Sequence, residues 1–221
     1  MKKHADIIDN YADLPVGLYL DLVEISRSDL PELDKQVRII AGLTGYSETE
    51  VLALPIDTYK RYAEKTVFLQ EPCNEGRIAS TYKAGAFDLV PTSDLAKITA
   101  AQYIDFQTLS KEGESKTVEL LSVFLIPRGH KYADGYDIAE VQQAIRRDLS
   151  VRDVITLAAF FFRKYAESIV SSLTSCKREI RRMKDPARKA ELEARMEEIQ
   201  EALDRLADLP SAGDGSPTST S

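Results

Sequence analysis

The most apolar part of the chain lies between Val118 and Ile126, where hydrophobic side chains fill nearly every position. In a water-soluble protein, a helix that is apolar on all sides is enclosed by other elements. The pattern therefore predicts a buried helix that begins at Thr117 and ends at Pro127, because proline cannot continue a helix. We expect the remaining elements to cover this helix.

Amphipathic spacing predicts further helices upstream of this core. Between residues 14 and 25 the apolar positions fit a strand or a helix, so that segment stays open. From 32 to 43, and from 56 to 69, apolar side chains recur at helical spacing. In the helix predicted at 32–43, the apolar stripe consists of Leu33, Val37, Ile40 and Ala41, and Asp34, Lys35 and Arg38 lie outside it.

Two capping boxes mark helix starts in the first half of the chain, because in this motif each side chain bonds to the other residue's exposed backbone N–H. Ser47 with Glu50 predicts a short helix, and Thr99 with Gln102 predicts another. Between these two helix starts, two short runs at about 77–91 predict a β-hairpin with Gly85 near its turn. A lone hairpin is marginally stable in water, so it must rest on the helices or pair with another strand.

The second half of the chain predicts long helices. Asp137 is expected to cap a helix, with Glu140 as its capping-box partner, and Ser150 to cap a long helix with a wide apolar face. Beyond Pro186, apolar residues repeat at heptad intervals, so this segment folds back as a hairpin or pairs with another copy. The heptad positions are Leu192, Met196, Ile199, Leu203 and Leu206.

These elements predict a mainly α fold, classed as α+β because of its one small β-hairpin. We expect a multi-helix globular body followed by a long helical hairpin or coiled-coil arm. The predicted parts are a flexible, loosely attached leader at 1–13, the body at 14–173, a charged helical arm at 174–209 and a disordered polar tail at 210–221.

Composition and charge indicate which partners and which cellular compartment to expect. The 221 residues carry a net charge of −7, and an acidic surface disfavours non-specific binding to nucleic acid or to an anionic membrane. Two cysteines are too few for a disulfide framework and predict a reducing compartment. The start lacks an apolar signal region, and no run reaches the roughly 18 apolar residues that span a bilayer. We expect an intracellular protein without membrane contact.

The best candidate for chemistry is the stretch that contains His130, Asp134 and Asp137. These residues have the side chains of metal ligands or of an acid–base pair, but the stretch lacks the ligand spacing and final glutamate of an EF-hand. Asp137 is better explained as a helix cap. The sequence therefore predicts a structural loop, and no catalytic residue, cofactor or metal.

The alternative to a catalytic or metal site is a surface that binds a protein partner. Gln102 and Tyr103 offer polar and aromatic groups, although the same helix is expected to close over the core. The heptad positions Met196, Ile199, Leu203 and Leu206 are the second candidate, for a partner protein or for another copy.

The order of these features resembles that of small proteins of tailed bacteriophages. The resemblance is to tail assembly chaperone-like or related virion morphogenesis proteins of phages that infect Bacteroidetes, and it covers about residues 14–173. It is carried by Asp94, Leu95, Ile98, Thr99, Gln102, Ile104, Asp105, Pro127, Gly129, Tyr136, Asp137, Phe161 and Phe162.

This resemblance implies a non-enzymatic protein of the host cytoplasm that binds a tape measure or tail tube protein and keeps it soluble until the tail polymerises. One alternative is a connector or tail component that stays in the virion. Another is a nucleic-acid-binding regulator that uses the helix pair at 32–54 and the basic run at 177–184. Glu48 and Glu50 disfavour it, because a recognition helix starts with residues that meet phosphates and bases.

Overall fold

The computed structural model describes residues 6–92, 94–111 and 116–182, together with Asp185 and Ala194. Within these residues the protein is mainly helical with one small antiparallel sheet, so the predicted fold class is confirmed. The helices are α1 (Val16–Arg27), α2 (Glu32–Thr44), α3 (Glu48–Leu52), α4 (Ile56–Lys65), α5 (Ala100–Leu109), α6 (Thr117–Phe124), α7 (Ile138–Asp148) and α8 (Val151–Arg182). The strands are β1 (Tyr82–Ala84), β2 (Phe87–Pro91) and β3 (Leu125–Pro127), and 3-10 helices occupy Thr66–Gln70 and Leu95–Lys97.

The chain divides into two compact units. The first contains residues 1–92 and 98–159, and the second contains residues 93–97 and 160–221. The division falls within α8. All of the sheet and helices α1 to α7 belong to the first unit.

The sheet has the strand order β1-β2-β3. Ala84 pairs with Phe87 across a two-residue turn, and Gly85 has the positive φ of 57° that such hairpin turns favour at their first position. The hairpin predicted at 77–91 therefore forms, although its first strand begins only at Tyr82.

The end of the apolar run differs from the prediction of a helix up to Pro127. Helix α6 stops at Phe124, and the next three residues form β3, in which Val90 pairs with Ile126. The carbonyl oxygen of Phe124 accepts a 2.8 Å hydrogen bond from Thr92 N–H beside that ladder. The core position is confirmed, since Val118, Leu121, Val123, Phe124 and Leu125 are all buried.

The start of the chain also differs from the prediction. Ile7 and Ile8 are 4% and 7% exposed and belong to the hydrophobic cluster of α1 and α2, so residues 6–13 are not a loosely attached leader. Ile8 N–H donates to the Leu43 carbonyl at 3.2 Å, and Tyr11 Oη donates to the carbonyls of Leu69 and Glu71. Burial of these two isoleucines supplies the attachment that the sparse apolar pattern did not indicate.

The open segment at 14–25 is helical from Val16 onward. Its start is fixed by two hydrogen bonds to the α7–α8 junction: Val16 N–H donates to the Leu149 carbonyl, and Val151 N–H donates to the Leu14 carbonyl. Pro15 and Ser150 form an isolated antiparallel bridge between these bonds. The first N–H groups of α1 and α8, which have no acceptor within their own helices, thereby find one in the other segment.

Candidate functional site

Helix α5 is fastened at its start by the predicted capping box. Thr99 Oγ1 accepts from Gln102 N–H at 3.2 Å, and Gln102 Oε1 accepts from Thr99 N–H at 3.0 Å. Gln102 is only 3% exposed, and its Nε2 donates to the Val123 carbonyl at 2.9 Å. Gln102 is therefore a buried link between α5 and α6, and its prediction as a partner-binding residue is wrong.

The outer side of α5 carries two adjacent apolar side chains. Tyr103 is 51% exposed and Ile104 is 61% exposed. The opposite side is held by Phe106, whose ring meets that of Phe124 edge-on at a centroid distance of 5.4 Å. Tyr103 thus remains a candidate for partner contact, and Ile104 joins it. The sequence analysis did not propose Ile104 for partner contact, because it expected this helix to close over the core.

Met196, Ile199, Leu203 and Leu206 lie outside the described residues.

The loop from Arg128 to Asp137 is built by its own hydrogen bonds. His130 Nδ1 lies 3.2 Å from the Asp134 carbonyl oxygen, not from its carboxylate. Asp137 Oδ1 accepts from Ala139 N–H at 2.8 Å and caps α7, as predicted, although it does so without the predicted partner Glu140. Ala133 has a φ of 58°, a left-handed conformation that is costly for a residue with a Cβ.

This loop is tied to α5 by a short hydrogen bond. Tyr132 Oη donates to Asp105 Oδ2 at 2.6 Å. Desolvation and the neighbouring Asp105 carboxylate raise the pKa of the Tyr132 hydroxyl well above its ordinary value. The neutral phenol serves as a donor, so this hydrogen bond joins the loop to α5.

The described residues offer no group of three or more His, Cys, Asp or Glu side chains that could hold a metal ion. Cys73 lies half-buried, and desolvation raises the pKa of its thiol. A protonated thiol is a poor nucleophile.

A groove of about 690 Å³ runs between α1, α2 and the 3-10 helix Thr66–Gln70. It was not predicted, because one of its walls is a 3-10 helix that packs beside α1 and α2 although it follows only after α3 and α4. The predicted stripe of α2 is confirmed at Val37, Ile40 and Ala41, which are buried. Two positions of α2 differ from the prediction. Leu33, predicted on the apolar stripe, is 62% exposed, whereas the Lys35 side chain, predicted outside it, is only 16% exposed and lines the groove.

The pair α2 and α3 bears on the nucleic-acid alternative. The predicted capping box at Ser47 and Glu50 is present, which leaves both acidic residues of α3 in its first turn. Glu48 is engaged with Arg38, whose Nε lies 3.5 Å from the Glu48 carboxylate. The first turn of α3 thus carries two carboxylates and no basic side chain of its own, which disfavours contact with phosphates.

Comparison with protein-family models, curated proteins and solved structures found no significant match to this chain. Along the part of the chain that the structure describes, no helix is both long enough and apolar enough to cross a membrane.

Proposed function

We propose that this chain is a non-enzymatic tail morphogenesis protein of a tailed bacteriophage. It acts in the host cytoplasm as a tail assembly chaperone, binding a tape measure or tail tube protein and keeping it soluble until the tail assembles. The resemblance in the order of elements supports this proposal.

The observation that carries the proposal is the exposed pair Tyr103 and Ile104 on a helix whose other side is fixed. Buried Gln102 and the Phe106–Phe124 contact hold α5, while the two apolar side chains face solvent. A rigid helix with exposed aromatic and aliphatic side chains is suited to protein binding, because little ordering is needed on association.

Co-expression tests this function. The chain is produced together with the tape measure or tail tube protein encoded in the same genome, and the soluble, co-purifying fraction of that partner is measured. Ile104→Glu should reduce the fraction, because a charge replaces an apolar contact. Leu52→Glu is the matched control, since Leu52 is 69% exposed on a different helix and its replacement should leave the fraction unchanged.

Two results would overturn the chaperone function. If neither partner becomes more soluble or co-purifies with the wild-type chain, the protein does not chaperone them. If purified phage particles contain the chain at a fixed stoichiometric copy number, it is instead a structural component of the virion.

A further inference from the structure

We propose that the groove between α1, α2 and the 3-10 helix Thr66–Gln70 binds an amphipathic helix of a partner protein, with apolar side chains in the groove and a partner carboxylate on Lys35. The proposal rests on the proposed function, since it names the kind of segment that the partner presents. It concerns a surface distinct from Tyr103 and Ile104.

The walls of the groove combine apolar side chains with polar and charged ones. Two of its hydroxyl groups bond to carbonyls of their own segment: Ser26 Oγ donates to Val23, and Thr66 Oγ1 donates to Ala63. Tyr59 Oη donates to Gln36 Oε1 at 2.9 Å. Arg27, Glu32, Lys35 and Gln70 also line the groove, and its apolar side chains are Tyr19, Leu22, Val23, Leu33, Ile39 and Leu69.

Lys35 supplies the charge that selects the partner. Its Nζ lies 3.1 Å from Glu32 Oε1, but the Lys35 side chain is 16% exposed whereas that of Glu32 is 89% exposed. An ion pair with so exposed a partner contributes little to stability. A carboxylate from a bound helix can therefore replace Glu32 without leaving the Lys35 ammonium unpaired.

The charged residues along the groove also favour an acidic partner. Arg27 and Lys35 are positive and Glu32 is negative, so the lining has a net charge of +1 on a chain whose net charge is −7. This local reversal of sign complements an acidic segment.

A helix suits the groove better than an extended strand. Strand addition requires the free backbone groups of a sheet edge, whereas α1, α2 and the 3-10 helix form these walls. A bound helix presents side chains three and four residues apart, which can enter the groove together with one flanking carboxylate.

Two synthetic helical peptides of about four turns test this proposal. Both carry leucines at positions i, i+3, i+4 and i+7; one places glutamate beside this stripe and the other places lysine there. Binding to the full chain is measured by fluorescence anisotropy. We expect the glutamate peptide to bind at least about tenfold more tightly than the lysine peptide, as loss of a charge-assisted contact implies.

Substitutions at Lys35 and Glu32 should change the affinity for the glutamate peptide in opposite directions. Lys35→Gln should weaken binding of the glutamate peptide about tenfold, whereas Glu32→Gln should strengthen it, because it removes the competing carboxylate. Lys83→Gln is the control, since Lys83 is exposed on β1 and should not affect binding. Glu32 is so exposed that its replacement leaves the fold intact, which circular dichroism verifies for every variant.

The proposal is overturned if the wild-type chain binds neither peptide, if it binds both equally, or if Lys83→Gln weakens binding as much as Lys35→Gln. Co-expression separates this failure from failure of the proposed function. A partner that is kept soluble by wild type and by Lys35→Gln alike leaves the chaperone function standing and removes the groove from it. If the chain binds the glutamate peptide but solubilises no partner, the groove binds acidic helices and the chaperone function is wrong.

Discussion

Gln102 Nε2 donates a 2.9 Å hydrogen bond to the carbonyl oxygen of Val123, joining the first turn of α5 to the last turn of α6. The final carbonyls of a helix have no internal partner, and here Gln102 satisfies one while Thr92 N–H satisfies the next, that of Phe124. Both bonds come from distant parts of the chain. They allow α6 to end in the core, where water cannot replace them, and the chain to continue as β3.

Replacing Gln102 by leucine should lower the free energy of unfolding by about 2–3 kcal/mol, because it leaves the buried Val123 carbonyl without a donor and removes the capping box. Urea denaturation measures the change. Gln143→Leu, on the exposed side of α7, is the matched control and should change stability by less than about 0.5 kcal/mol. Equal effects of the two substitutions would contradict the role of Gln102.

Ile8→Ala should destabilise the protein by about 2–4 kcal/mol, because Ile8 is 7% exposed within the α1–α2 cluster and its removal leaves a cavity. Ile56→Ala deletes the same atoms from a side chain that is 64% exposed, so it should cost far less. Thermal unfolding of both variants makes the comparison. Similar melting temperatures for the two would mean that the start of the chain is attached as loosely as its sequence suggests.

The features that the sequence predicts well are local ones. The boxes at Ser47–Glu50 and Thr99–Gln102 need only residues three apart, and both form. Strand β3 was predicted as helix because its conformation depends on pairing with β2, more than thirty residues earlier. For the same reason the enclosed position of Lys35 was missed, since residues outside its own helix help to form the groove.

Ala133→Gly should stabilise the protein by about 1 kcal/mol, because glycine adopts the φ of 58° found at this position without the steric cost of a Cβ. Denaturant unfolding detects a shift of this size. Ala139→Gly, in the first turn of α7, should have the opposite sign, since there glycine only adds conformational entropy to the unfolded chain. If both substitutions destabilise, the left-handed conformation of Ala133 carries no strain.

Asp148, which contacts the hairpin turn, should make the free energy of unfolding depend on pH. Its carboxylate accepts hydrogen bonds from Arg147 and, at 2.6 Å, from Gly85 N–H. The Arg147 hydrogen bond, aided by that of Gly85, holds the pKa of Asp148 below its ordinary value of 3.8. A carboxyl whose pKa is lower in the folded state stabilises the fold above the unfolded pKa, and this contribution is lost as the pH falls through the folded pKa.

Asp148→Asn should therefore be less stable than the wild type above pH 3.8, with the difference disappearing as the pH falls below that value through the folded pKa. The side chain is 31% exposed, so the difference at neutral pH should be no more than about 1 kcal/mol. Denaturant unfolding at a series of pH values measures it. Asp88→Asn, on the exposed side of β2, is the control and should show no such convergence with the wild type. A constant Asp148→Asn difference across the acid range would mean that the carboxylate's charge contributes nothing at this turn.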